Sequence, residues 1–378
     1  MKKILALLFL ILTLPAQAQI IDVTTAGLKA DWNGAWFDGV NSGTAFSSAS
    51  SSFTAADIGK IVSVVTPGVG GATYISSIAT IVSPTAVTLS VPLGINASGL
   101  MFYTGTDNTA ALNALLVSGA NLYFPKGNYG FAGIVRILPN HNSIKLFGDG
   151  PNISNLFYIN GGAVSFPFID IQSAQYTTIK DLTLWSVGND WGGWHITVRN
   201  SGAGDPSQTK IDRVGFSMAP WSGGLLLDTS LETFVDNSRF SGGFTAIQGA
   251  SAGSYSNIVN ISRTQFSGQM NVPIRAGGDT WTLQSDTFEA RLDGKGAAFQ
   301  GLSNVPISNL TIIGCWFGDA RVGGRDWVTV YGAALNFIGN TTSAAVATDH
   351  AVNLNGMANY NIPVGSNTYA GFTTAVAP

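Results

Sequence analysis

The chain has 378 residues, room for one long solenoid or for two or three ordinary domains, and only 10% of them are charged. With 18 Lys+Arg against 21 Asp+Glu the net charge is −3, which makes nucleic acid and acidic membrane surfaces poor partners. The 46 glycines, and the scarcity of Glu-, Lys- and Leu-rich stretches past the N-terminus, favour strands and turns over helices.

Residues 1–18 read as an export signal: Lys2 and Lys3 supply the positive start, Ile4 to Leu14 the apolar run, and Ala16-Gln17-Ala18 a small-x-small cleavage site. The mature chain is then expected to begin at Gln19 and to be secreted, periplasmic or extracellular. Without the two leader lysines its balance is 16 basic against 21 acidic residues, or −5. No later stretch reaches about 18 unbroken apolar residues, so no membrane anchor is expected. Residues 19–104 form a β-rich module, with a Gly/Ser-rich stretch at 39–52 followed by β-formers at Phe53 to Val65 and Ala79 to Val91. Thr106 or Asp107 can cap a short helix carrying Ala110, Ala111, Leu112, Leu115 and Leu116, with Gly119 placed to end it. A strand over Asn121 to Phe124 and a Pro-Gly turn come next.

From residue 167 onward a repeat can be counted. Six segments share an apolar residue, four variable positions and a large apolar residue: Ile179 to Leu184, Ile211 to Phe216, Val235 to Phe240, Ile261 to Phe266, Leu283 to Phe288 and Ile312 to Phe317. Their second anchors lie 32, 24, 26, 22 and 29 residues apart, and weaker copies follow at Phe337 to Thr342 and Val364 to Tyr369. A fixed local pattern with insertions of variable length is what a solenoid produces, because each coil must present the same side chains inward while its corner loops can grow. A short strand-like run recurs in each interval, as in Phe168 to Gln172, Ile196 to Asn200, Leu225 to Asp228 and Thr245 to Gln248. Each coil therefore has room for three short strands, and helix-period stretches are missing. The expected fold is all-β: a right-handed parallel β-helix over 105–378, closed by a short N-terminal helix and preceded by the small β module.

Several segments resemble the pectate-lyase-like β-helix superfamily, which includes pectate lyases, rhamnogalacturonases and phage tailspike depolymerases. Gly105-Thr106-Asp107-Asn108-Thr109-Ala110-Ala111-Leu112 is similar to that family's helix-opening motif, and Leu122 to Tyr129 to its first strand and turn. Leu146-Phe147-Gly148-Asp149-Gly150 resembles the next turn, and Phe53 to Lys60 a leader module of phage-like members. The resemblance covers residues 50 to 370 and is specific for fold, since members include lyases, hydrolases, epimerases and adhesins. The pattern departs at Asn108, where Asp is usual, and no strand face gathers acidic residues in the manner of a pectate-lyase calcium site. With one cysteine and three scattered histidines, no metal site and no cofactor are expected. Cys315, in an apolar run, reads as a small core hydrophobe. A homotrimer is the assembly that the resemblance to spikes allows.

Residues at equivalent points of successive coils stack about 4.8 Å apart, so one column can become a groove for a linear polymer. The outward positions near the ends of the short runs are Gln172, Arg199, Asp228, Gln248, Arg275, Gln300, Tyr331 and Asn353, a polar column suited to a hydroxyl-rich ligand or simply to water. The loops leading into those runs concentrate charge and indole: Asp190, Trp191 and Trp194; Trp221; Glu289, Arg291, Asp293 and Lys295; Asp319, Arg321, Arg325, Asp326 and Trp327. Indoles stack on the apolar faces of sugar rings, and guanidinium groups take hydroxyls or carboxylates. Trp191, Trp194, Trp221, Arg275, Arg291, Arg321 and Trp327 are thus candidate polysaccharide contacts. Glycoside hydrolysis needs two carboxyl groups roughly 5 to 9 Å apart. Glu289 is the candidate acid with Asp293 or Asp319 as partner, and Asp228 could face them if the groove curves. A surface ion-pair network with Arg291 and Arg321 is the structural alternative. β-Elimination on a uronate polymer would instead use Tyr331, Lys295 or an Arg as base, with Arg275 or Arg291 on the carboxylate. His195 is a conceivable base whose position favours a structural role. A non-catalytic adhesin or spike is the third expectation, supported by the acid-poor C-terminal part, where Asp349 is the single acidic residue from Ala333 to Pro378.

Overall fold

A computed structural model describes residues 19–66, 73–159, 166–188, 193–249, 256–289, 297–318, 326–332, 334–343, 350–355, 359–363, 365–370 and 376–377. The leader expected at 1–18 lies outside them.

The inward apolar positions counted in the sequence build a right-handed parallel β-helix. One ladder has ten strands, running from Val135–Ile137 through Ile169–Gln172, Trp194–Arg199, Gly223–Asp228, Thr245–Gly249, Ile274–Ala276 and Phe299–Gly301 to Val328–Thr329, Val352–Asn353 and Val376–Ala377. The other sheet has nineteen strands, and most coils give it two: Ser230–Asp236 and Arg239–Gly242, Ser256–Ser262 and Gln265–Ser267, Gly278–Gln284 and Thr287–Phe288. Between the two limbs one residue per coil is left-handed: Asp181, Arg213, Asn237, Arg263 and Ser285 (φ 47 to 57), then Gly314 and Gly339 (φ 64 and 66). That conformation turns the chain and places three inward residues per coil where plain alternation would give two.

The first inward column, Ile179, Ile211, Val235, Ile261, Leu283, Ile312 and Phe337, is buried to within 1%. The last is an aromatic stack, Phe216, Phe240, Phe266, Phe288 and Phe317, with ring centroids 4.2 to 5.3 Å apart and planes within 9°. Coil spacing in a parallel sheet is close to the thickness of offset-stacked rings, so each ring's burial supports the next. The middle column fell among the variable positions of the sequence pattern. It is polar from Ser238 through Thr264, Asp286, Cys315 and Asn340 to Asn367, because the left-handed residue leaves a backbone N–H in the coil before without a ladder partner. Thr264 N–H donates to Asp286 Oδ1 (2.8 Å), Cys315 N–H to Asn340 Oδ1 (2.8 Å) and Asn340 N–H to Asn367 Oδ1 (2.9 Å). Asn340 and Asn367 also donate through Nδ2 to the carbonyls of Ile312 and Phe337. At Asp286 the equivalent atom is Oδ2, buried without a hydrogen-bond partner among the described residues, and burial pushes this carboxyl up to about 7. Cys315 stacks beside it, 1% exposed, its thiol pushed well up by burial, as befits a core residue.

The helix Thr109–Leu115 inserts Leu112, followed by Leu116, into the same core and covers the first coil. Asn108 shows why Asp is not required there. Its amide accepts the Lys29 N–H (2.7 Å) and donates to the carbonyls of Lys29 and Gly130, a pairing a carboxylate cannot complete.

The N-terminal module is a closed barrel of strands Asn33–Ser42, Ala45–Ser47, Ile61–Val65, Thr73–Ser83, Ala86–Leu89 and Ala97–Gly105. Its first two strands take in residues 39–42 and 45–47 of the Gly/Ser-rich stretch. Residues 20–22 do not join it. Ile20–Asp22 pairs in parallel with Asn121–Phe124 and covers that strand's free edge. Trp32, 1% exposed, then stacks on Tyr103 and joins Ile61 and Ile159 between barrel and solenoid. Among the described residues no helix is long and apolar enough to cross a membrane.

Candidate functional site

Alternation along the second limb of the large sheet sends outward the residues just before and just after each aromatic anchor. The residues before it form the column Asn155, Thr183, Gly215, Arg239, Gln265, Thr287, Trp316 and Thr341. Those after it run Phe157, Trp185, Ser217, Ser241 and Ser267, with Glu289 next as its N–H continues the ladder to the Phe266 carbonyl.

Trp185 lies flat on Phe157 (5.7 Å, 14°), and its Nε1 donates to Asn155 Oδ1, whose amide in turn donates to Asn128. The indole is therefore held in one orientation. On the next coil Gly215 has no side chain, and a Cβ there would lie 3.0 Å from Thr183 Oγ1. The gap between Thr183 and Arg239 opens into a cleft of ≈ 260 Å³ bordered by Trp185, Ser217, Asn237 and Ser241. Farther along, Gln265 Nε2 donates to Glu289 Oε1 (2.5 Å), and Trp316, 41% exposed, folds over Gly318. Trp185 and Trp316 stand five coils apart, about 24 Å. A larger cleft, ≈ 390 Å³, lies where the barrel meets the solenoid at Phe37, Met101, Tyr103 and Pro220, and among the described residues no acidic or basic side chain lines it.

The column expected on the ten-strand ladder is two columns. Asp170, Thr197, Leu226, Gln248, Arg275, Gln300, Thr329 and Asn353 are in register, so Leu226 interrupts the polar run and Tyr331 falls two residues beyond Thr329. Gln172, Arg199 and Asp228 pair one position pair later. Much of this face satisfies itself. Asp170, 2% exposed, receives Nε and Nη2 of Arg199 (2.8 and 2.7 Å) and Nε2 of Gln172 (2.6 Å). Those bonds, with the nearby Asp228 charge, hold the Arg199 guanidinium firmly protonated. Asp326 receives Asn353 Nδ2 and pairs with His350 Nδ1, both at 2.7 Å. Arg275 differs, as its Nε is buried with no hydrogen-bond partner among the described residues.

Of the candidate carboxylates, Glu289 and Asp228 are described and are not brought together. Asp228 ends its strand beside Arg199, whereas Glu289 precedes the ladder strand Phe299–Gly301 at the opposite corner. Asp293, Asp319, Arg291, Arg321, Lys295, Asp190, Arg325 and Trp191 lie outside the described residues. Trp194 is part-buried, its ring filling the space over Gly223, and Trp221 is tilted against Phe244 at 5.8 Å. Trp327 requires a correction. Expected to stack on sugar, it is a core side chain, 1% exposed, in the corner column of Phe168, His195, Ala246, Ala298 and Ala351. The corner turns two consecutive residues inward, so the residue opening the strand is buried. For the same reason His195 is no base: it stacks on Phe216, neither ring nitrogen has a hydrogen-bond partner among the described residues, and burial pushes it down to about 3.

Sequence reasoning passed over Trp185, Arg239, Gln265 and Trp316. The signal was present, since each flanks a counted anchor and must point outward by the two-residue period of a strand. Among the described residues no three His, Cys, Asp or Glu side chains gather as metal ligands.

No protein-family model matches the chain, and no curated protein does. Solved structures do. The enzymatically active domain of tailspike protein 2 from bacteriophage CBA120 is 12% identical over 84% of this chain and 50% of that one, with a TM-score of 0.52. ORF18 of Geobacillus virus E2 is 14% identical over 71% of this chain and 57% of that one (TM-score 0.49). The Streptococcus pneumoniae surface adhesin PfbA is 14% identical over 65% of this chain and 77% of that one (TM-score 0.44). The chain thus spans 50% and 57% of the two viral proteins it resembles. At such identities the likeness is one of fold: the chain shares its parallel β-helix with a phage tailspike.

Proposed function

We propose that the protein binds a polysaccharide along the second limb and cuts it by glycosidic hydrolysis. The observation that carries this reading is the outward stripe from Trp185 through Arg239 and Gln265 to Glu289 and Trp316, which spans a polymer-sized length at constant coil spacing. Indoles at both ends offer stacking faces, and Glu289 lies between them. Glu289 acts as the general acid that protonates the leaving oxygen, and Asp293 or Asp319 is the partner that attacks or activates water. Gln265, donating to Glu289, orients the carboxyl toward the polymer. Arg291 and Arg321 flank the same acidic residues in sequence, Trp191 follows Asp190, and all three contribute further contacts. Asp228, tied to the Arg199 side of the ladder, has no part in this chemistry. Support also comes from the shared fold, since the tailspike fragment is described as an enzymatically active domain. Export through residues 1–18 and assembly as a homotrimer belong to the same reading.

The test is to incubate Gln19–Pro378 with acidic and neutral polysaccharides, following reducing ends and ultraviolet absorbance together. New reducing ends without absorbance are expected, with Glu289→Gln lowering turnover about 10²- to 10⁴-fold while polymer binding persists. Absorbance would mean elimination and direct attention to Arg275, Lys295 and Tyr331. Binding without either signal would make the protein an adhesin.

A further inference from the structure

The cleft over Gly215 has a chemistry of its own. Three arginines of the described solenoid are each bound to a carboxylate: Arg199 to Asp170 at 2.7 Å, Arg213 to Asp181 at 2.6 Å and Arg263 to Asp236 at 2.6 Å. Arg239 is exposed and has no ion pair or side-chain hydrogen bond among the described residues. Two acidic groups of neighbouring positions are already engaged. Asp236 is held by Arg263, Ser262 and Asn237, and Glu289 is bonded to Gln265, the residue in register with Arg239 on the next coil. A free guanidinium thus borders a cavity whose opposite wall is the fixed Trp185 ring and whose rim carries the hydroxyls of Ser217 and Ser241.

We propose that this cleft is a subsite for a sugar unit bearing a carboxylate, so that the polymer read by this face is acidic. The inference rests on the polysaccharide reading above. The ring stacks on Trp185 in the space that Gly215 leaves open, its hydroxyls meet Ser217 and Ser241, and its carboxylate takes the two parallel N–H donors of Arg239. A pyranose advances a chain by about as much as one coil, so a unit held at Arg239 lies two coils, about 10 Å, from Glu289. The subsite sets specificity and register; it takes no part in bond breaking.

The experiment measures binding of intact wild type and Arg239→Gln to polygalacturonate, alginate, hyaluronan and polysialate, each beside its carboxyl-reduced form. Neutral dextran and xylan complete the set. The expected result is that at least one acidic polymer binds, that Arg239→Gln weakens it about 10- to 100-fold, and that the carboxyl-reduced form binds both proteins alike. Arg239→Lys should recover part of the loss, and added salt should weaken wild-type binding more than that of the Gln variant. Acidic polymers held equally by wild type and Arg239→Gln, or binding of neutral polymers alone, would overturn the subsite and leave the polysaccharide reading intact. Binding of none would remove the polysaccharide reading, and this inference with it.

Discussion

Two outer faces of the same solenoid carry polar side chains, and they use them differently. On the ten-strand ladder the ends are closed circuits: Asp170 is saturated by Arg199 and Gln172, and Asp326 by His350 and Asn353. On the second limb Arg239 is unpaired among the described residues, Gly215 leaves a gap and Trp316 is 41% exposed. Side chains that satisfy one another in place contribute to the fold, and a ligand would have to break those bonds to use them. Side chains left open beside a cavity cost little to engage. Polarity in a column is therefore a weaker guide to a binding face than the bonding state of each residue.

The comparison can be pressed hardest at the tryptophans. Trp327→Ala should cost about 3–5 kcal/mol in urea unfolding, because it empties a corner of the core between Phe317 and the ladder. A near-neutral effect would return Trp327 to the surface. Removing a carboxylate from the closed face comes next. Asp170→Ala should destabilise by about 2 kcal/mol, less than a fully buried pair would, since the Arg199 side chain is 42% exposed and can turn to water. Polymer binding should be unchanged, and its loss would mean that the ladder is the binding face.

Asp286 tests the interior beneath the open face. Its carboxyl is raised by burial to about 7 from an ordinary 3.8, so the folded chain holds a proton that the unfolded chain releases. That stabilisation is fully present below about pH 4 and is lost as pH rises through about 7. Asp286→Asn supplies the amide that Asn340 already uses against a carbonyl of the preceding coil. It should remove this pH dependence and be the more stable protein at pH 8 by ~2 kcal/mol, measured by unfolding at pH 5 and pH 8. Equal destabilisation at both values would show that the ionised carboxylate is the native form. The smallest effect on stability is expected at Trp316. Trp316→Ala should shift it by no more than about 0.5 kcal/mol while weakening polymer binding roughly three- to tenfold.

The repeat was legible because burial is periodic. Ile211 and Phe216, or Ile261 and Phe266, had to recur wherever a coil closed, and the short runs named from Phe168 to Gln248 all became rungs of the ten-strand ladder. The middle inward column was not legible, since Ser238, Asp286 and Asn340 look like surface residues until the left-handed corner turns them inward. The same corner logic hid Trp327 at the opposite vertex, where the buried His195 agrees with the structural role its position favoured. Register decided the rest. An offset of two residues between coils separates a continuous column from two broken ones, so Asp228 parted from Gln248 and Leu226 took its place. The order of residues determined that this chain would stack into a solenoid, because inward apolar positions need only a local pattern. Which outward residues meet, and which remain free for a ligand, only the tertiary structure decided, because that depends on alignment between coils some 22 to 32 residues apart in the chain.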